Sequence, residues 1–349
     1  MTLSQTAVLT KQIIAISIFT LILGGTGFIG YKIWSAYYLA HLPPVEEKPD
    51  TKFGLLPQPD FPKSAVSSSN FSYSIDTSTG NLPKVGIDSG FEKLMKVYFV
   101  TKTFASLLSP EKSQTLAQNF GITNQPQILS ETNYRFQDKD KTLTIDLDSG
   151  NFAYKNEATI SGKESLDNDD KLVLDFERNL ETLGVFKEDL KKGRTKIVLL
   201  KNDGNTFIPT QLRTEANAVQ ISLWPKPVDN KPIFTPQFDT SLINAKVYKG
   251  AENLENYFSI DFTYYQIELS TFATYPTKST EQAFEDLKSG KGIVVIEPIK
   301  PNVSITSIYL GYFLGELYNP YLEPVFVFEG PHFVAYVPAI SEQFQTQAR

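Results

Sequence analysis

An uncharged apolar segment near the start of the chain constrains its architecture more than any other feature. Residues 13–31 form 19 consecutive positions without a charged side chain, bracketed by Lys11 and Lys32. As a helix this segment spans roughly 28 Å, which matches the hydrocarbon core of a bilayer. We therefore expect a transmembrane anchor over residues 12–34, between a short cytoplasmic tail (1–11) and an extracytoplasmic body. A cleaved signal peptide is the alternative, although its apolar part is usually shorter.

The glycines inside this segment resemble a nucleotide-binding turn. Residues 24–30 read Gly-Gly-Thr-Gly-Phe-Ile-Gly, which is similar to the glycine turn of extended short-chain dehydrogenases. That turn needs a second strand ending in an acid about 20 residues on, and a proline-rich stretch stands there instead. We expect small residues that let membrane helices pack closely, with Thr26 and Gly30 four positions apart on the contact face.

The composition excludes several kinds of chemistry. The chain has no Cys and 2 His, His41 and His332, which excludes zinc–thiolate sites, iron–sulfur clusters, thiol catalysis, disulfides and multi-histidine metal sites. Its net charge of −6, from 39 acidic and 33 basic residues, argues against a nucleic-acid partner. We expect no cofactor and no bound metal.

Residues 35–70 have the composition of a linker. Six prolines lie between His41 and Asn70, serines occupy positions 67–69, and the apolar residues show no period. We expect an extended stalk that joins the anchor to the body.

The body then shows two units that each open with a helix and continue as strands. In the first, residues 71–160, Ser109 is the expected N-cap and Pro110 the first helical residue, ahead of three alternating strands. In the second, residues 161–349, a helix begins near Asp169, and a capping box at residues 279–282 starts another. The expected strands of this unit are 196–200, 219–224, 242–248, 257–265, 292–297, 305–314, 324–329 and 333–337. The expected fold class is therefore α+β, with tandem modules of helices on antiparallel sheets.

Both units resemble known extracytoplasmic modules. The helix–strand–turn–strand pattern of 109–154, with its 145–152 ending Ile-Asp-Leu-Asp-Ser-Gly-Asn-Phe, is similar to a PepSY-type module. Residues 279–292, 305–312 and 322–328 resemble the extracytoplasmic part of the YycI and YycH regulators. The middle region, 201–278, has no counterpart in this resemblance.

The resemblance implies a non-enzymatic regulator of a membrane partner, for YycI a sensor histidine kinase. The expected partners are therefore the lipid bilayer and a protein of the envelope, such as a sensor kinase or a peptidase. The alternative is an envelope enzyme, or a binding module, that acts on cell-wall glycan or peptide through carboxylates. No spacing among the 39 acids selects a catalytic pair.

Two further patterns resemble sites but have simpler explanations. Residues 109–112, Ser-Pro-Glu-Lys, and 288–290, Lys-Ser-Gly, resemble two motifs of serine transpeptidases, yet both read as helix ends. The acids at 138–148 and 167–170 lack the alternate spacing and closing Glu of a calcium loop. We interpret them as turn and helix-start residues.

The aromatic strand after residue 307 is the best candidate surface. Alternation places Tyr309, Gly311 and Phe313 on the face opposite Ile308, Leu310, Tyr312 and Leu314. Together with Tyr318, the exposed Tyr309 and Phe313 would form a partner-binding patch. The alternative is that a second layer covers this face.

Overall fold

The computed structural model describes residues 3–40, 48–158, 166–204 and 206–346. The chain forms two compact units, Met1–Lys48 and Pro49–Arg349, which we call the anchor unit and the body. His41 and the expected boundary between residues 160 and 161 lie outside the described residues.

The described part of the anchor unit is one helix, α1 (Leu3–Ala40). Its segment Ile16–Tyr38 has a mean hydropathy of 1.5, and none of it is buried in the structure. Thr26 donates its hydroxyl to the carbonyl of Ile22 at 2.9 Å, so that its polar group is satisfied within the apolar helix. An N-terminal helix long and apolar enough to span a membrane is thus confirmed, and signal sequences share this property.

The described part of the body contains three α-helices and eighteen strands, besides short 3-10 turns. The helices are α2 (Ser109–Asn119), α3 (Asp169–Thr182) and α4 (Thr280–Lys288). The strands are β1 (Ser72–Ile75), β2 (Leu94–Val100), β3 (Gln127–Ile128), β4 (Asn133–Asp138), β5 (Lys141–Asp146), β6 (Phe152–Asn156), β7 (Thr195–Asn202), β8 (Phe207–Pro209), β9 (Ala218–Leu223), β10 (Ile233–Phe234), β11 (Ile243–Tyr248), β12 (Tyr257–Phe262), β13 (Ile267–Pro276), β14 (Ile293–Ile296), β15 (Asn302–Ile305), β16 (Ser307–Phe313), β17 (Tyr321–Gly330) and β18 (Phe333–Pro338).

The larger sheet consists of two topologically equivalent repeats. Its nine strands follow the order β3-β4-β5-β6-β12-β11-β9-β7-β8. From the central pair β6–β12, one side of the sheet continues as β5, β4 and β3, and the other as β11, β9 and β7. Each repeat of four strands therefore places its last strand at the centre of the sheet and its first strand farthest out, and β8 adds one strand beside β7. A helix precedes each set, α2 on one side and α3 on the other. The two inner strands pair antiparallel, with Tyr154 opposite Ile260.

Both helices of these repeats pack on the same face of the nine-stranded sheet. Apolar side chains at helical spacing bring α2 and α3 into one buried cluster with the strands. Its members from the helices are Leu116 and Ala117 of α2 and Leu172, Phe176 and Leu180 of α3, and Phe120, directly after α2, joins them. On the opposite face, Lys155, Lys246 and Asp261 retain solvent exposure. The expected α+β class with helices on one face of an antiparallel sheet is therefore confirmed.

The smaller sheet has seven strands and is covered on both faces. β10, β16, β17, β18 and β14 form its path, and β2 joins it by pairing with β13 and β17. Ala283 and Leu287 of α4 pack against one face, whereas Phe234 and Tyr336 belong to a cluster on the other. Because both faces are covered, β17 is buried continuously over 322–328 and shows no alternation.

Residues 49–70 differ from the expected extended stalk because they lie against the body. Leu56 is fully buried and forms a β-bridge with Gln345. The buried Ser68 donates its hydroxyl to the carbonyl of Leu287 at 2.7 Å. Because single residues make these contacts, the apolar residues of this segment show no regular spacing, and the sequence pattern did not reveal the contacts.

The two sheets also divide the body differently from the expected modules. Strands from both 71–160 and 161–349 build the nine-stranded sheet, whereas β2 belongs to the seven-stranded one. The tandem pattern lies within a single sheet, and its second repeat ends at Phe262. Residues 201–278, which lacked a counterpart in the resemblance, supply β9, β11 and β12 of that repeat.

Candidate functional site

Thr26 and Gly30, the expected contact residues of the membrane helix, are exposed on α1. A Cβ atom added at Gly30 would meet nothing within 4 Å, and the same holds at Gly27. Together these positions leave a strip without bulky side chains, a shape that lets a second helix approach closely. Helix packing at Thr26 and Gly30 stays a prediction.

Phe313, one member of the expected aromatic patch, lies under a second layer, and Tyr309, another member, packs against a neighbouring strand of its own sheet. Phe313 is 4% exposed, and its ring meets that of Phe61 edge-on with centroids 4.8 Å apart. The half-buried Tyr309 has its ring centroid 5.8 Å from that of Phe234 and donates its hydroxyl to Glu329 at 2.8 Å. Phe313 therefore offers no exposed surface, as the alternative of a covering layer anticipates.

Tyr318, the third member, lies at a different surface. Its hydroxyl donates to the carbonyl of Val100 at 3.0 Å, which fixes the turn after β16 against the end of β2. The ammonium of Lys102 lies 5.7 Å from the Tyr318 ring centroid and 5.3 Å from that of Phe104. Lys102 thus brings the loop before α2 next to the turn that holds Tyr318.

These two neighbouring segments expose four large apolar side chains, which we call the apolar rim. Phe104 is 70% exposed, Leu107 100%, Leu108 57% and Leu317 69%. Apolar side chains gathered on one surface mark contact sites far more often than isolated ones do. The rim was missed in the sequence, because apolar residues such as Leu107 and Leu108 directly before the first helical turn are the arrangement expected of a buried staple.

The start of α2 explains why these leucines are exposed. The N-cap is Leu108, whose side chain makes no capping hydrogen bond, and not Ser109 as expected. Ser109 is already helical, and its hydroxyl accepts the backbone N–H of Ser106 at 2.9 Å. The loop is therefore closed on itself before the helix, with its leucines directed away from the core.

A cleft of about 560 Å³ opens beside the rim, between α2 and the end of α3. We call it the inter-repeat cleft. Its volume is within the range of small-ligand sites. Its charged lining residues are Glu111 and Lys112, and Leu108 belongs to both the cleft and the rim. Its apolar wall consists of Leu116, Ile145, Leu147, Leu183 and Val185.

Three acids meet beside the start of α3, and a lysine of the chain already forms ion pairs with all three. Asp167, Asp175 and Glu252 bring carboxylate oxygens within 4.8 Å of one another. The ammonium of Lys171 lies 2.6, 3.2 and 3.6 Å from these three side chains, in that order. Hydrogen bonds from Lys171 to Asp167 and Asp175 raise the pKa of the lysine. The cluster therefore holds an internal cation where a metal would sit.

Glu323 on β17 is a carboxyl group buried inside the body. It is 1% exposed, and its Oε1 has no hydrogen-bond partner among the described residues. Gln345 donates to its Oε2 from 3.4 Å. Burial raises the pKa of Glu323 to about 8. The position suits a protonated, structural carboxyl better than a group that meets a substrate.

The two strings that resemble transpeptidase motifs lie in different layers. Ser109 and Lys112 line the inter-repeat cleft on α2, over the nine-stranded sheet. Lys288 ends α4, which packs on the seven-stranded sheet, and forms an ion pair with Glu285 at 2.8 Å. Neither Lys288 nor Ser289 contributes to the lining of the cleft.

Comparisons with known proteins leave the family open. No protein-family model matches the chain, and no curated protein matches it. Among solved structures, that of an uncharacterized protein from Eubacterium rectale is similar with a TM-score of 0.41 and 13% identity. The alignment covers 76% of this chain and 87% of that one.

Proposed function

We propose that the chain is a membrane-anchored binding protein that holds a partner of the envelope in the inter-repeat cleft and modulates it. In this proposal α1 stays in the bilayer, the N-terminal tail is cytoplasmic and the body is extracytoplasmic. The resemblance to PepSY and YycI modules suggested such a regulator, and the observation that carries the proposal is the cleft itself.

The lining of the cleft suits an apolar segment of a partner. Five apolar side chains form its wall, and the accessible Leu108 continues that wall to the surface. Burial of apolar side chains from a partner would remove this surface from water, which is the main driving force of such contacts. Because Glu111 and Lys112 carry opposite charges, the cleft favours neither an acidic nor a basic ligand.

Hydrolysis of glycan or peptide by paired carboxylates fits this cleft less well. Such a mechanism needs two acids that face one bond. Among the described residues that line the cleft, Glu111 is the acid present. The clustered acids near Lys171 lie outside this lining.

Site-specific photocrosslinking in cells tests the proposal. A photoreactive residue replaces Thr115, which is exposed on the cleft wall, and in a matched strain it replaces Gln118, which is exposed on α2 but absent from the lining. We expect one envelope protein to crosslink from position 115 and not from position 118. The purified pair is then mixed, and Thr115→Lys should weaken binding more than Gln118→Lys because only the former places a charge in the cleft.

Equal capture from both positions, or equal binding by both lysine variants, would contradict the proposal. Retention of cell-wall fragments by the purified protein, with no protein crosslinked at position 115, would favour the alternative of a glycan-binding or glycan-hydrolysing body.

A further inference from the structure

We propose that the apolar rim contacts the surface of the bilayer that holds α1, so that the body rests on the membrane with its rim in the lipid headgroup region. This inference depends on the anchor of the proposed function but not on the partner in the cleft.

The rim has the chemistry of a shallow membrane contact. Phe104 and the fully exposed Leu107 lie in one segment and Leu317 in the neighbouring one, joined by Lys102. Bulky apolar side chains beside a cation are the combination by which peripheral segments enter the headgroup boundary. Acidic residues near the rim, such as Glu316, keep the local charge mixed, so we expect apolar insertion and not charge to dominate.

The backbone under the rim has partners of its own. The N–H of Ala105 donates to the carboxylate of Asp148 at 2.8 Å, and that of Ser109 donates to the carbonyl of Ser106 at 2.9 Å. A backbone group that is hydrogen-bonded within the protein loses less free energy when water is removed than one that depends on water. The N–H groups of Ala105 and Ser109 therefore need no water when the side chains of the rim enter a less polar environment.

The stretch of chain between Ala40 and Asp50, residues 41–49, which we call the tether, keeps the body close to the bilayer. Trp34 and Tyr38 stack near the end of the apolar span, and aromatic residues of this kind prefer the membrane–water interface. Nine residues separate Ala40, the end of α1, from Asp50, whose N–H donates to Thr274 in the body. Ten extended peptide steps cover at most about 35 Å.

The tether joins the body near the rim. Asp50 is fixed to Thr274 on β13, which lies opposite Lys96 on β2. From Lys96 the strand runs five residues to Thr101, where the rim loop begins, a distance of roughly 17 Å at the rise of a strand. A tether that ends this near the rim holds it at a high effective concentration at the bilayer. A bilayer is therefore the occupant favoured over a second copy or another protein.

Depth-dependent quenching of a single fluorophore tests this contact in the full chain. Because the protein has no cysteine, one introduced thiol carries one bimane label. The labelled protein is reconstituted as single copies in three kinds of nanodisc: without spin-labelled phospholipid, with phospholipid spin-labelled near the headgroup, and with phospholipid spin-labelled in the middle of the acyl chain. The last of these reaches the depth of position 29, near the middle of the apolar span. The test positions are Leu107→Cys and, as a second rim position, Leu317→Cys. Ile29→Cys in α1 reports the anchor, and Ile208→Cys, exposed on the edge strand β8, is the control.

We expect the spin-labelled lipid to quench bimane at positions 107 and 317 by about half, because interfacial side chains lie roughly 5–10 Å into the boundary region. Position 208 should keep its fluorescence. Quenching at 29 without quenching at 107 and 317 overturns the rim contact while the anchor stands. A blue shift of the bimane emission at position 107, without quenching by the spin-labelled lipid, overturns the membrane contact in favour of a contact with protein. Loss of quenching at every position, 29 included, overturns the anchor as well.

Discussion

Replacement of Glu323 by glutamine should remove a large pH dependence from the stability of the body. In the folded state burial raises the pKa of this carboxyl from 4.5 to about 8. Between these values the unfolded chain releases the proton, whereas the folded chain keeps it. Unfolding therefore becomes easier as the pH rises from 4.5 to 8, and the stabilising effect of the protonated form is fully present below 4.5.

The size of the effect follows from the pKa difference. A difference of about 3.5 pH units corresponds to a loss of roughly 5 kcal/mol in the free energy of unfolding across this window. Glutamine has nearly the same shape, does not titrate, and keeps an oxygen that Gln345 can approach. Glu323→Gln should thus be nearly as stable as the wild type at pH 5 and clearly more stable at pH 8.5.

Urea unfolding of the full chain in detergent micelles, followed by circular dichroism from pH 5 to pH 8.5, measures this difference. The control is Glu131→Gln, which alters an exposed carboxyl. The difference in the free energy of unfolding between Glu323→Gln and the wild type should increase with pH. The corresponding difference between the control and the wild type should stay constant. Parallel pH profiles for Glu323→Gln and the wild type would refute the reasoning, because they would mean that Glu323 is already ionised in the folded protein.

Three other substitutions give direct expectations. Lys171→Met should lower the thermal stability, because Asp175 would lose the nearer of its two cations and keep only Arg178 at 3.5 Å, and millimolar Ca²⁺ should restore part of it in a melting experiment. Gly311→Ala should cost about 1–3 kcal/mol in urea unfolding, because the added Cβ would lie 2.3 Å from the Phe234 ring and 2.8 Å from the Pro232 carbonyl and force β10 to move. Gly30→Leu should weaken self-association of α1, measured by energy transfer between labelled chains in vesicles, whereas unchanged transfer would argue against packing through this strip.

The local structure of the body was largely predictable from the sequence. The capping box at Ser279 and Gln282 is present at the start of α4, with both reciprocal hydrogen bonds formed. The stripe that includes Leu172 and Phe176 is buried on α3. Signals of this kind act within one or two helical turns, so a single sequence contains all the information they need.

Strand partners and sheet boundaries were not predictable in the same way. β13 was missed because its first half, from Glu268 to Thr271, is exposed or partly exposed and its pairing with β2 is interrupted at Glu268. Such a strand shows no regular alternation. The joint between β6 and β12 depends on residues about one hundred positions apart, and no local pattern encodes that contact.

The candidate surfaces illustrate the same limit. Alternation correctly placed Phe313 opposite Tyr312, but it could not show that Phe61 and Phe234, both distant in sequence, cover Phe313 and Tyr309. The exposure of Leu107 was equally hidden, because two leucines before a helix usually suggest a buried staple. Whether an apolar residue faces the core or the solvent is decided by the tertiary neighbours that reach it.

The pairing of β2 has a consequence for how the body assembles as it is synthesised. β2 ends at Val100, yet its partners, β13 and β17, begin at Ile267 and Tyr321. A chain that emerges from its N-terminus therefore carries β2 with two open edges until most of the body exists, and open edges invite pairing with other chains. Chains truncated before Tyr321 should aggregate, whereas the first repeat, whose helix and strands are contiguous, can form early.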